Sequence, residues 1–131
     1  MATKREILRL RKALLDGMTN YMKYGGAASE TDPDFDPNFD AEYTQADIDR
    51  CAKIIDEFVA ALESAPKGKN EAILKAVKAA VIKLNKLNEL CDGFLIETDQ
   101  REQLCPLIIA AAKRAGLVST VDDITEEWRE W

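Results

Sequence analysis

The chain has 131 residues, 47% of them hydrophobic and 32% charged, with a formal net charge of −6 and no histidine. It is too apolar for a disordered chain and too charged for a membrane-embedded one, and its length suits a single domain over residues 1–131. An acidic surface is repelled by phosphate backbones and anionic headgroups, so neither nucleic acid nor membrane is an expected partner.

The opening MATKREILRLRK mixes charge and leucine too finely for a secretory apolar region, and no apolar run approaches a membrane span of about 20 residues. A cytoplasmic location is expected. Cys51, Cys91 and Cys105 are odd in number, form no CxxC and fall on or beside apolar stripes, which reads as reduced cysteines acting as small hydrophobes.

From Lys4 to Tyr24, Ile7, Leu10, Leu14, Met18 and Tyr21 recur at three and four residues, with Leu15 and Met22 beside them, which predicts a first helix ended by Gly25 and Gly26. A second helix starts at Thr44, placed to form a capping box with Asp47, and shows Ile48, Cys51, Ile55, Phe58, Val59 and Leu62 inward until Pro66 and Gly68. Asn70 suits the cap of a third, drawn by Ile73, Val77, Ala80, Val81, Leu84, Leu87 and Cys91; Gly93 closes it, with Phe94 at the apolar contact of a Schellman motif.

The fourth helix runs from Thr98 to Ala115, stopped by Gly116, and Pro106 inside it predicts a kink or two shorter pieces. Last, Asp122 can cap a short helix in which Ile124, Trp128 and Trp131 share a face and lid the domain. No segment alternates with period two, and there is no internal repeat. The expected fold is all-α: an antiparallel four-helix bundle with a short fifth C-terminal helix and a long acidic loop between helices 1 and 2.

Without histidine there are no Ser-His or Cys-His pairs, no HExxH zinc site and no Glu-x-x-His di-iron site. Glu126, Glu127 and Glu130 spell a magnesium-binding EExxE, but no later helix supplies its ExxD partner. Asp32 to Asp40 invite a calcium reading, yet no register of DPDFDPNFD gives the glycine at position six together with the glutamate at twelve of an EF-hand. No cofactor, metal or catalytic residue is therefore assigned.

The loop from Gly25 to Tyr43 is far longer than ordinary helix connections. Glu30, Asp32, Asp34, Asp36, Asp40, Glu42, Asp47 and Asp49 place eight negatives in and just after it with no lysine or arginine among them, and the remainder of the chain is about +2. Phe35, Phe39 and Tyr43 recur every fourth residue. In one reading these rings pin the loop to the bundle while Lys75, Lys78 and Lys86, which share an outward helix face with Ile82, neutralise its carboxylates. In the other, Asp32, Asp34, Phe35, Asp36, Phe39, Asp40 and Glu42 dock a basic protein, the aromatics anchoring and the charges steering.

A few polar residues stand on apolar faces. Arg11 lies among Ile7, Leu14, Leu15 and Met18, where it must snorkel or find a carboxylate. Glu97, Gln100 and Arg101 continue the stripe of Leu104 and Ile108, and in an up-and-down bundle they meet Tyr21, Tyr24, Asn85 and Asn88 at one end. Tyr21, Asn88, Glu97, Gln100 and Arg101 are the candidates for a polar pocket, against an end-of-bundle hydrogen-bond network.

These features point first to a non-enzymatic protein-binding module, such as an inhibitor or neutralising protein for a basic partner. The alternatives are a small-molecule or enzymatic site at the polar end, and a self-associating structural protein using the apolar run Leu107 to Ala112.

Overall fold

A computed structural model describes residues 2–131, and these fold into four helices with no strand among the described residues. They are α1 (Lys4–Tyr24), α2 (Gln45–Ser64), α3 (Asn70–Leu90) and α4 (Thr98–Arg114). The principal packing pairs are α1 with α4 and α2 with α3, joined by α1 against α2, a pattern consistent with a bundle.

The apolar spacing settles which side of each helix turns inward. Ile7, Leu14 and Met18 of α1 meet Ile48, Ile55, Phe58 and Leu62 of α2, Ile73, Val77, Val81 and Leu84 of α3, and Leu104, Leu107 and Ile108 of α4 in one continuous core. Each fully buried Leu, Ile or Met contributes roughly 1.5–3 kcal/mol relative to exposure. Leu107, Ile108, Ala111 and Ala112 are buried and Ile109 packs at the core's edge, so the apolar run of α4 turns inward rather than to solvent.

Capping explains where the helices begin and end. The Thr3 hydroxyl accepts the Glu6 N–H at 3.1 Å, and the Asp47 carboxylate accepts the Thr44 N–H at 3.0 Å in the capping box that opens α2. Gly25 ends α1 at φ +65°, and a Cβ there would also stand 3.1 Å from the Phe39 ring. At the end of α4, Gly116 at φ +102° forms a Schellman motif: its N–H reaches Lys113 O and that of Leu117 reaches Ala112 O, with buried Leu117 over buried Ala112.

Four expectations require correction. Asn70 is the first residue of α3 rather than its cap; Lys69 is the N-cap and makes no side-chain cap bond. The Asn70 amide instead brackets a distant peptide, donating to Val118 O at 2.7 Å and accepting from Val118 N at 3.0 Å.

The stop of α3 places two residues in the left-handed region, Asp92 at φ 54° and then Gly93 at φ 81°, so the glycine is preceded by an aspartate in the same conformation. The Schellman bonds run from Asp92 N to Glu89 O and from Gly93 N to Asn88 O, and Phe94 is 42% exposed instead of supplying the apolar contact.

α4 passes through Pro106 as one helix rather than two pieces. Leu104, Leu107 and Ile108 are buried on either side of the proline, and that packing keeps both halves helical.

The fifth helix does not form. Residues 124–128 are consecutive turns, organised by Asp123 rather than Asp122. The Asp123 carboxylate accepts the N–H and hydroxyl of Thr125, while the Arg129 guanidinium pairs with it at 3.1 Å and reaches Trp131 O at 2.9 Å. A side chain that captures its own backbone two residues on favours turns over helix. The lid packs all the same, with Ile124 buried and Trp128 and Trp131 against the core.

Candidate functional site

Residues 25–44 contain no helix or strand, yet hydrogen bonds order them closely. Asp32-Pro33-Asp34-Phe35 and Asp36-Pro37-Asn38-Phe39 are two successive β-turns. Phe35 N–H donates to Asp32 O and Phe39 N–H to Asp36 O, both at 3.0 Å. In each, the leading carboxylate accepts the N–H two residues on, from Asp34 to Asp32 and from Asn38 to Asp36, both at 2.9 Å. Asp-Pro is the opening such turns favour: proline fixes φ at the second position and aspartate mimics the turn's own carbonyl. Asp32 also accepts the Ala28 N–H at 2.9 Å, and these backbone donors, Ala28 first, hold its carboxyl below the usual range.

Each turn delivers a ring to α1. Phe35 stands edge-on to Tyr24 at 6.0 Å, Phe39 edge-on to Tyr21 at 5.5 Å, and Tyr43 stacks on Tyr21 at 6.3 Å. Tyr43 is buried, and its hydroxyl donates to Met18 O at 3.0 Å. Rings four residues apart in the loop thus meet α1 positions three residues apart, Tyr24, Tyr21 and Met18. The aromatics are anchors of the loop itself.

The carboxylates divide accordingly. Asp32 and Asp36 hold the turns. Glu30, Asp34, Asp40 and Glu42 carry no ion pair or side-chain hydrogen bond among the described residues. Lys75, Lys78 and Lys86 pair with none of them, and Ile82 on their face is 43% exposed. The loop is therefore docked through its rings while its charge stays unneutralised.

At the polar end, Tyr21, Glu97, Gln100 and Arg101 line one open depression of about 430 Å³ together with Trp131. Asn88 does not join them: it is buried, and its Oδ1 accepts the Ile96 N–H at 2.8 Å. Gln100 Oε1 accepts the Glu97 N–H at 3.1 Å in the box that opens α4. Asn85 brackets the C-terminal segment, donating to Trp128 O at 2.8 Å and accepting from Glu130 N at 3.0 Å. Most polar groups here are engaged in holding the fold; the buried Trp131 indole N–H lacks an acceptor among the described residues.

Arg11 found its carboxylate. Its Nε and an Nη bind both oxygens of Asp56 at 2.9 and 3.0 Å, bridging α1 to α2. The cysteines are free thiols; burial pushes Cys51 up to about 12 and Cys91 to about 11, and also raises Cys105, so none is a nucleophile at neutral pH. Among the described residues no group of acidic residues and cysteines is arranged to hold a metal ion, and no helix is long and apolar enough to cross a membrane.

Sequence reasoning missed the tandem turn, although DPDF followed by DPNF was its signal. No family model matches this chain, and neither does any curated protein or solved structure.

Proposed function

We propose that this protein is a non-enzymatic binding module, an inhibitor or neutralising protein, that receives a basic protein partner on its acidic loop. The observation that carries the reading is the division of labour within the loop: rings and turn aspartates fix its shape, while Glu30, Asp34, Asp40 and Glu42 stay unpaired. A charged surface that is ordered before encounter loses little entropy on binding, and unpaired carboxylates steer a cationic partner.

The reading takes the domain as an antiparallel up-and-down bundle acting in the cytoplasm, with the loop at the end shared by the C-termini of α1 and α3 and the start of α4. It is preferred to a ligand site at the polar end because Asn85, Asn88 and Gln100 are already committed to holding backbone.

The test uses Asp34→Asn/Asp40→Asn/Glu42→Gln, which spares the turn aspartates. Chemical crosslinking in cells with mass-spectrometric identification should recover a basic protein with the native chain and lose it with the variant, and the purified pair should weaken steeply with salt. A partner held equally by both chains would overturn the proposal.

A further inference from the structure

A second surface carries charge of the opposite sign to the molecule as a whole. Between the N-terminal half of α1 and the C-terminal half of α2, closed at one end by the last turn of α4, lies an open trough of about 360 Å³. Ile7, Ile55, Val59, Leu62 and Ala111 supply its apolar lining, and Leu8 borders it with 55% of its surface exposed. A single exposed leucine is ordinary; one that continues a concave apolar lining extends a binding surface.

Six charged side chains surround it: Lys4, Arg11, Lys67 and Arg114 against Asp56 and Glu63. Arg11 is matched by Asp56 at 2.9 Å and Lys4 by Glu63 at 4.0 Å. Lys67 and Arg114 have no carboxylate partner among the described residues. The trough therefore holds two uncompensated positive charges within a chain of net charge −6.

The backbone fixes where those charges sit. Gly68 N–H donates to Ala115 O at 3.0 Å, and a Cβ on Gly116 would lie 2.7 Å from Gly68 N. Two glycines thus let the connection between α2 and α3 lie directly on the end of α4, which brings Lys67 and Arg114 to the same trough.

We infer that this trough binds a single-chain aliphatic carboxylate, a fatty acid, with its chain along Ile7, Leu8 and Val59 and its carboxylate at Arg114 and Lys67. The chemistry follows from the two halves of the surface. Burial of an alkyl chain removes Leu8 and the lining from water, and a guanidinium offers a carboxylate two parallel donors. The volume lies at the small end of ligand sites, which suits one chain. The site uses the N-terminal half of α1, whereas the acidic loop rests on Met18 to Tyr24, so the inference stands apart from the proposal above.

Isothermal titration of the full chain with laurate, kept below its micelle concentration, tests it. Dodecyltrimethylammonium and phosphatidylglycerol vesicles serve as comparison ligands. Laurate should bind saturably at one site, and Lys67→Glu/Arg114→Glu and Leu8→Asp should each weaken it about tenfold or more. All three positions are exposed, so unchanged thermal melting of the variants establishes that the loss is local. Asp34→Asn/Asp40→Asn/Glu42→Gln should bind laurate as the native chain does. The inference is overturned by absent saturation, by affinity unchanged in both trough variants, by equal binding of the cationic amphiphile, or by vesicles binding in preference to the free acid.

Discussion

The hydroxyl of Tyr43 donates to the carbonyl of Met18 at 3.0 Å, tying the last ring of the acidic loop to a residue of α1 25 positions earlier in the chain. Met18 O remains within α1, so removing the donor strands no helical carbonyl.

Tyr43→Phe should therefore cost only about 0.5–1.5 kcal/mol, whereas Tyr43→Ala, which also empties a buried ring site, should cost about 3–5 kcal/mol. Urea unfolding reads both. Equal losses would mean that the hydroxyl, not the ring, holds the loop.

The Arg11–Asp56 pair bridges two helices with good fork geometry, yet the side chains are 30% and 59% exposed, so solvent screens the attraction. A double-mutant cycle with Arg11→Ala and Asp56→Ala should give a coupling of about 0.5–1 kcal/mol that shrinks in 1 M salt. Arg11→Met, which keeps the stem over Ile7 and Leu14, should lose less than Arg11→Ala.

Alkali should unfold the protein through its buried thiols. Burial raises Cys51 from 9.0 to about 12, with Arg11 opposing, and raises Cys91 to about 11, with Asp47 adding to the effect. Above pH 9 the unfolded thiol has released its proton while the folded one keeps it, so stability falls as pH rises, with a slope of up to about 1.4 kcal/mol per pH unit for each thiol. Full stability is present below pH 9. Cys51→Ala should flatten the decline between pH 9 and 11 in urea titrations at fixed pH, and an unaltered slope would exclude that thiol as its cause.

Asp92 occupies φ 54°, a conformation that Asp and Asn enter more readily than other side chains but that only glycine adopts without steric cost. It is exposed and its side chain makes no hydrogen bond among the described residues. Asp92→Gly should be stabilising by up to about 1 kcal/mol, read as a rise in the urea midpoint with unchanged slope.

The four helices were legible because each repeats its apolar residues at the helical period and ends in a local stop such as Gly25, Gly116 or Pro66. Where reading failed, a nearby polar side chain had two roles open to it. Asn70 could cap α3 or bracket Val118, and only the distant segment decides; near the C-terminus Asp122 reads as a helix cap, but its neighbour Asp123 folds a turn around Thr125 instead. At Pro106 the burial of Leu104 and Leu107 keeps α4 in one piece. The rings of the loop were visible as a four-residue spacing, but their partners Tyr21 and Tyr24 had been assigned to a different end-of-bundle cluster. The trough was invisible, because it depends on Gly68 meeting Gly116 and on which charges had already found partners.

The amides of Asn70 and Asn85 each offer one donor and one acceptor to a peptide far along the chain, at separations of 43 to 48 residues, much as a neighbouring strand would. α3 thus supplies the side chains on which the final stretch is laid, and that stretch has no helical or strand ladder of its own. The C-terminal segment should be the last part of the molecule to settle during folding and the first to lift away, so its amides should exchange with deuterium sooner than those of the helices it covers.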